Sequence, residues 1–134
     1  MAVLGIVMNC RFCNLAPDEK IFYEDDLVLV FRDSSPVSPG HSLAIPKRHV
    51  QSFFDTTKEE RDALLAALDY VKADLAKEFN PDAYNIGIND GPLAGQSVPH
   101  LHIHLIPRFK GDREDPRGGV RWVIPEKAPY WKKA

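Results

Sequence analysis

The chain has 134 residues, of which 44% are hydrophobic and 27% are charged. This length and composition are typical of one soluble globular domain with a sizeable core. The formal net charge of −2 argues against general nucleic-acid binding, which usually requires a strongly basic surface. From Arg108 onward, eight basic residues stand against four acidic ones. This excess could attract a polyphosphate or could solvate an exposed segment, and we favour solvation.

The N-terminal segment, residues 1–8, is apolar. It is far shorter than the roughly 20 residues that a transmembrane helix requires. It also lacks the basic leader and the small-residue cleavage site of a signal peptide. We therefore predict a cytoplasmic protein without a membrane partner.

Cys10 and Cys13 form a Cys-x-x-Cys pair. A structural disulfide is not expected in a protein without a signal peptide. No thioredoxin-type unit surrounds the pair, and a zinc site would need two further ligands. The residues alone leave redox chemistry and zinc binding open.

Three short strands are predicted in the first half of the chain. The segments 21–24 and 27–32 flank an Asp-Asp turn and predict a hairpin. Asp33 follows in a loop of serines and prolines, where it is either a turn residue or a functional carboxylate. The segment 41–45 alternates polar and apolar residues and predicts a strand that begins at His41.

A long helix is predicted next. Thr57 and Glu60 form a capping-box sequence. The apolar stripe that follows consists of Leu64, Leu68, Val71, Leu75 and Phe79. The helix is expected to end at Asn80, before a proline, and to cover one face of a small sheet. A strand over 83–89 follows and is predicted to pair with the strand that carries the next motif.

Three histidines, His100, His102 and His104, alternate with aliphatic residues. Such alternation predicts a strand with two different faces, so all three imidazoles are expected to point the same way. Pro99 and Pro107 are expected to bound this strand, because proline cannot donate to a sheet ladder. The loop before it, residues 89–97, contains two glycines that free backbone N–H groups for an anion.

The histidine row has several interpretations besides a histidine-rich surface strand. On an extended strand, His100 and His104 are separated by roughly 13 Å. This separation is too wide for all three histidines to bind one ion, because each ligand nitrogen must lie within about 2.1 Å of the metal. A metal-dependent hydrolase is therefore disfavoured. The remaining alternatives are nucleophilic attack of an imidazole on phosphorus and a nucleotide-binding scaffold with little turnover.

Three segments resemble the histidine triad (HIT) superfamily: the row at 100–106, its lead-in GlyProLeuAlaGlyGlnSer at 91–97, and SerProValSerProGlyHisSerLeuAlaIlePro at 35–46. The resemblance covers about residues 10–108 of a single domain spanning 1–134, with 109–134 as a C-terminal tail. It implies an α+β fold with an antiparallel sheet of about five strands and one main helix. It also implies a homodimer whose two sheets join into one.

The resemblance implies a hydrolase or transferase acting on a nucleotide, with diadenosine tetraphosphate or a nucleoside phosphoramidate as candidate substrates. His102 is then the nucleophile, and His41 orients or polarises it. The residues implied to contact the phosphates, the leaving group or the ribose are Asp33, Asn89, Gly95, Gln96, Ser97 and His104. Asp33 suits the ribose because a carboxylate accepts hydrogen bonds from two vicinal hydroxyls.

A zinc-bearing branch of the superfamily implies the two missing metal ligands. They are His49 and His100, which would join Cys10 and Cys13 around a structural zinc. No organic cofactor is expected. The tail follows neither the phosphoramidase nor the dinucleotide-hydrolase pattern. Within it we expect a strand over 120–124, and we favour packing over base stacking as the role of Trp122, Tyr130 and Trp131.

Overall fold

Five strands and one long helix form the framework of residues 7–132, which the computed structural model describes. They are β1 (Ile21–Glu24), β2 (Val28–Arg32), β3 (Ser42–Pro46), α1 (Lys58–Phe79), β4 (Ala83–Ile88) and β5 (Ile103–Arg108). The strands form one sheet of order β1-β2-β3-β5-β4 in which all neighbours are antiparallel. The predicted α+β fold is confirmed. Most of the apolar N-terminal segment, residues 1–6, lies outside the described residues.

Helix α1 begins at the predicted capping box and covers one face of the sheet. The hydroxyl of Thr57 accepts from the backbone N–H of Glu60 at 3.0 Å, and the Glu60 carboxylate accepts from that of Thr57 at 2.9 Å. The helix ends at Asn80, whose φ of 50° is left-handed. The predicted stripe is confirmed: Leu64, Leu68, Val71 and Leu75 are buried, and Phe79 packs beside them. At about 1.5–3 kcal/mol for each large side chain buried, this contact is a main source of stability.

The alternating side chains of the strands divide into two clusters. Val30 and Leu105 belong to the cluster under α1. Phe31 and Leu43 belong to the cluster on the opposite face, where the N-terminal residue Phe12 packs on them. Because α1 occupies one face, the other face remains for a cavity beside the N-terminal segment.

The strand pairing places the two histidine segments side by side. The predicted hairpin of β1 and β2 is present. In β3, Ser42 lies opposite Leu105 of β5, so His41 lies next to the histidine strand as predicted. In β4, Ile86 lies opposite the same Leu105 from the other side, which confirms the predicted antiparallel core.

The limits predicted for the histidine strand are wrong at both ends. Strand β5 begins at Ile103, because the backbone N–H of Leu101 donates to Val50 (2.7 Å) and not to a neighbouring strand. Pro107 lies inside β5, opposite Tyr84. Its missing N–H breaks no ladder bond, because the pairing with β3 has already ended at Leu105.

The predicted strand over 120–124 is also wrong. Residues Gly119–Val123 form a short 3-10 helix. Gly118 and Gly119 have positive φ values of 97° and 47°, which turn the chain at the start of this helix. The indole N–H of Trp122 then donates to the carbonyl of Arg117 at 2.9 Å, which fixes the turn locally.

Between residues 7 and 132, α1 is the one long helix, and it is too polar to cross a membrane.

Gly40 is a position where a side chain would not fit. Its φ is 88°, and a Cβ there would lie 2.7 Å from Leu75 and 2.9 Å from Phe79. We expect Gly40→Ala to lower the free energy of unfolding by about 1–3 kcal/mol, measured by denaturant titration. Gly87→Ala is the matched control, because no atom lies within 4 Å of its Cβ position. Equal losses in the two variants would contradict this explanation.

Candidate active site

A cavity of about 550 Å³ lies on the sheet face opposite α1. Its lining includes His102, His104 and four of the predicted substrate-binding residues, namely Asp33, Asn89, Gly95 and Ser97. The ring centroids of His102 and His104 are 5.2 Å apart. The fold thus gathers on one cavity residues from the end of β2, from β5 and from the loop between β4 and β5.

The tautomer of the neutral His102 ring is fixed by the backbone. Its Nδ1 lies 2.8 Å from the carbonyl oxygen of His100. A carbonyl can only accept, so Nδ1 carries the hydrogen of the neutral ring. The lone pair of His102 is therefore on Nε2, which can accept a hydrogen bond or attack an electrophile. The side chain is 7% exposed.

His104 has the opposite tautomer, which a relay through His41 imposes. The backbone N–H of Val37 donates to Nδ1 of His41 at 3.1 Å, so the hydrogen of the neutral His41 ring is on Nε2. That Nε2 lies 2.9 Å from Nδ1 of His104 and donates to it. The hydrogen of His104 is consequently on Nε2, where it can be donated to a ligand. His41 makes this bond to His104, whereas the sequence predicts that it orients His102.

Burial keeps both members of this relay neutral. Burial, reinforced by the imidazoles of His102 and His41, lowers the pKa of His104 from its ordinary 6.5 to about 4. Burial also lowers the pKa of His41, although the Asp33 carboxylate, 3.5 Å from its Nε2, opposes the effect. At neutral pH the relay therefore consists of neutral imidazoles.

The lowered pKa of His104 predicts a pH-dependent stability. The His104 ring takes up a proton near pH 6.5 in the unfolded chain but only near pH 4 in the folded chain. Its contribution to the free energy of unfolding is therefore complete above pH 6.5 and is lost as the pH falls from 6.5 to 4. We expect the melting temperature to fall over this range, and to fall less steeply in His104→Asn. Thermal unfolding of both proteins measures the difference. Parallel pH profiles would contradict the assignment to His104.

The glycine loop is held by Gln96 from inside the protein. The Gln96 carbonyl accepts from the backbone N–H of Gly91 at 2.8 Å, and its amide donates to the carbonyl of Gln51 at 3.0 Å. The side chain is buried, so a direct contact with phosphate would require these bonds to be exchanged. The loop residues that reach the cavity are Asn89, Gly95, which has a φ of 99°, and the exposed Ser97.

Asp33 is both a turn residue and a carboxylate on the cavity wall, which are the two alternatives that the sequence offers. One carboxylate oxygen accepts from the backbone N–H of Ser35 at 2.8 Å, as a turn residue does. The same side chain lines the cavity and is 19% exposed. The turn fixes the carboxylate at the cavity wall.

Phe12 is a cavity residue that sequence reasoning missed. Its ring centroid is 5.1 Å from that of His102, with an interplanar angle of 84°, and it also lines the cavity. The one available signal was its position between Cys10 and Cys13, since a residue between two ligands is held close to their site.

Cys10, Cys13, His49 and His100 converge beside the cavity, with their ligand atoms all within 4.8 Å of one another. The Nδ1 of His100 lies 3.4 Å from Sγ of Cys10 and 3.5 Å from that of Cys13, and Nδ1 of His49 lies 3.4 Å from the latter. Ligands of tetrahedral zinc are separated by roughly 3.5 Å, given Zn–S and Zn–N lengths of about 2.3 and 2.05 Å. The donor set therefore fits zinc.

The tautomer of His100 agrees with a ligand role. Its Nε2 lies 2.7 Å from the carbonyl oxygen of Pro46 and must donate to it. The lone pair on Nδ1 consequently faces the two sulfurs. A backbone partner on the second nitrogen is the usual arrangement for a metal-binding histidine.

Comparison with known proteins assigns this arrangement to a family. The model of the HIT domain matches residues 15–111. The chain belongs to the HIT family. The resemblance seen in the sequence motifs is thereby confirmed for most of the chain.

Individual HIT relatives extend the assignment. The chain is 41% identical over 109 residues to Protein hit of Bacillus subtilis, covering 78% of this chain and 74% of the relative. It is 41% identical over 101 residues to the asymmetrical bis(5'-nucleosyl)-tetraphosphatase of Schizosaccharomyces pombe, covering 75% of this chain and 56% of that protein. A zinc-bound histidine triad family protein from Mycobacterium smegmatis has a TM-score of 0.73 and 35% identity, with 81% of each chain covered.

Proposed function

We propose that this HIT protein is a nucleotide hydrolase or nucleotidyl transferase. It acts on the α-phosphate of a dinucleoside polyphosphate or a nucleoside phosphoramidate, and a nucleotidyl-histidine is the intermediate. The observation that supports this most directly is the pair of opposite tautomers on one cavity. An unprotonated Nε2 on His102 and an N–H on His104 belong to rings 5.2 Å apart.

The proposed reaction with a polyphosphate has two displacements at phosphorus. The lone pair on Nε2 of His102 attacks the α-phosphorus, and the bond from phosphorus to the bridging oxygen breaks. The leaving phosphate keeps that electron pair and accepts a hydrogen bond from His104. Water then attacks the same phosphorus, the P–N bond breaks, and its electron pair returns to Nε2. One proton of the water is released to solvent, and the nucleotide is freed.

The remaining cavity residues have binding roles in this proposal. Asp33 accepts hydrogen bonds from the ribose hydroxyls. Asn89 and Ser97 donate to the phosphate chain, and Gly95 permits its close approach, because it presents no Cβ. His41 acts through His104, and the 2.9 Å bond between them supports this role.

We also propose that Cys10, Cys13, His49 and His100 hold a structural zinc. The converging donors support this, and a HIT relative is described as zinc-bound. Four protein ligands leave no open position for a substrate, which is the pattern of a structural site. The metal would fix His100, whose carbonyl oxygen orients His102. A cytoplasmic location suits the proposal because the cysteines must remain reduced.

A homodimer is proposed as well. Strand β4 is an edge of the sheet, and Ile86 on it is 55% exposed. Unpaired edges are available for pairing with a second strand, and a copy of β4 would extend the two sheets into one. Sedimentation equilibrium tests this directly, since Ile86→Lys is expected to yield monomers.

One experiment separates the covalent enzyme from the alternatives. The protein is incubated with diadenosine tetraphosphate and with adenosine phosphoramidate, with and without chelator, and its intact mass and AMP release are followed. We expect AMP release and a nucleotidyl adduct on His102 in both conditions, more slowly with chelator, because zinc would fix the carbonyl that orients His102 but would take no part in the reaction. Binding without any release would instead indicate a scaffold. Activity lost on chelation, with no adduct under any condition, would indicate a metal-dependent hydrolase.

A further inference from the structure

A second cavity, of about 500 Å³, adjoins the first on the same face of the sheet. Its floor includes Asn85 of β4 and Ile106 of β5, and its far wall includes Trp122 of the C-terminal tail. The two cavities share His104 and Asn89. His104, whose Nε2 carries the N–H donor of the site, therefore lies between the two cavities. Each cavity is within the range of about 300–1,000 Å³ that encloses small ligands.

The tail forms the wall through a defined local structure. Trp122 is anchored by its indole bond to Arg117, 2.9 Å long. A Cβ on Gly118 would lie 2.9 Å from the indole nitrogen, so the chain packs closely against the edge of this ring. The aromatic surface is consequently held in place at the side of the cavity.

The same wall offers a cation without an acidic partner. The guanidinium of Arg113 lies 5.3 Å from the ring centroid of Trp122, and over residues 7–132 no carboxylate pairs with it. Arg108 differs, because it makes bonds of 2.7 and 2.8 Å to Asp112 and one of 2.7 Å to Asn85. Arg113 is therefore the cation available to an anionic ligand in this cavity.

We infer that the second cavity binds the leaving nucleotide, with its base against Trp122 and its phosphates toward Arg113. This inference rests on the proposed function and narrows it to dinucleoside polyphosphates. Aromatic side chains bind bases by stacking, and an arginine guanidinium pairs with phosphate oxygens. A small amine would leave most of the 500 Å³ unfilled. When the P–O bond breaks, the departing nucleotide keeps the electron pair and remains in this cavity until release.

The test compares two substrates on a set of tail variants. kcat/KM is measured for diadenosine tetraphosphate and for adenosine phosphoramidate, which has no second nucleoside. We expect Trp122→Ala to lower the value for the dinucleotide by about tenfold, as for loss of one stacked base, and to change that for the phosphoramidate by less than about twofold. Trp122→Phe keeps an aromatic ring and is expected to retain most of the activity.

Two further variants control for damage to the tail. Arg113→Gln removes the charge from an exposed side chain and is expected to reduce turnover of the dinucleotide selectively. Tyr130→Ala removes a tail aromatic that lies outside the cavity lining and is expected to affect neither substrate. Thermal unfolding of each variant identifies any loss of fold.

The outcomes distinguish this inference from the proposed function. If the unaltered protein turns over neither substrate, the proposed function fails, and the inference fails with it. If it turns over both, yet Trp122→Ala and Arg113→Gln lower both equally or neither, only the inference fails. Selective loss with the dinucleotide supports the second nucleotide site.

Discussion

Replacing His102 by alanine is expected to abolish nucleotidyl transfer. The nitrogen that bonds to phosphorus is lost, and no other imidazole on the cavity presents a lone pair, because Nδ1 of His104 is occupied by His41. Loss of a nucleophile lowers kcat by on the order of 10³-fold or more. AMP release measures the rate, and intact mass measures the adduct.

His104→Ala is the informative comparison. It leaves Nε2 of His102 in place but removes the hydrogen-bond donor to the leaving group, for which a loss of roughly 10²-fold is expected. The adduct should therefore still form, only more slowly. If His102→Ala still forms an adduct, or releases AMP as fast as the unaltered protein, the nucleophile lies elsewhere.

Removing either cysteine is expected to remove the metal and to destabilise the fold. Cys10→Ser and Cys13→Ser each leave an incomplete ligand set, and the chain has no other cysteine. A loss of about 3 kcal/mol would lower the melting temperature by roughly 10 °C in a domain of this size. Elemental analysis of the purified protein gives zinc per chain, and calorimetry gives the melting temperature.

Asn14→Ala is the matched control for the metal site. Its side chain donates to three backbone carbonyls around the cysteines, those of Val7, Met8 and Cys10, but it is not a ligand. This variant should lose some stability yet keep zinc. Zinc retained in Cys10→Ser would contradict the proposal. So would unaltered protein that purifies without zinc and has the same melting temperature with and without chelator.

The framework of the fold was predictable because local patterns and tertiary packing agree. The capping box at Thr57 and the stripe from Leu64 to Phe79 predict a helix with one buried face, and α1 has that face. The strand ends were less predictable. Leu101 bonds to Val50, which is distant in sequence, and no local pattern predicts that partner.

The site was predictable as a set of residues but not as a hydrogen-bond network. The histidine row indicates reactive imidazoles, yet their tautomers depend on Val37, His41 and the carbonyl of His100. Gln96 is polar in a glycine loop, which suggests ligand binding, whereas its burial and its bond to Gln51 depend on tertiary structure. The tail formed a 3-10 helix and a cavity wall because of two glycine turns that periodicity does not reveal.

The relay from Val37 through His41 to His104 has a consequence for the energetics of substrate arrival. A backbone amide cannot change its role from donor to acceptor, so the proton arrangement of the cavity is set when the chain folds. A nucleotide then meets dipoles that already point in the productive direction, and little reorganisation remains to be done at the transition state.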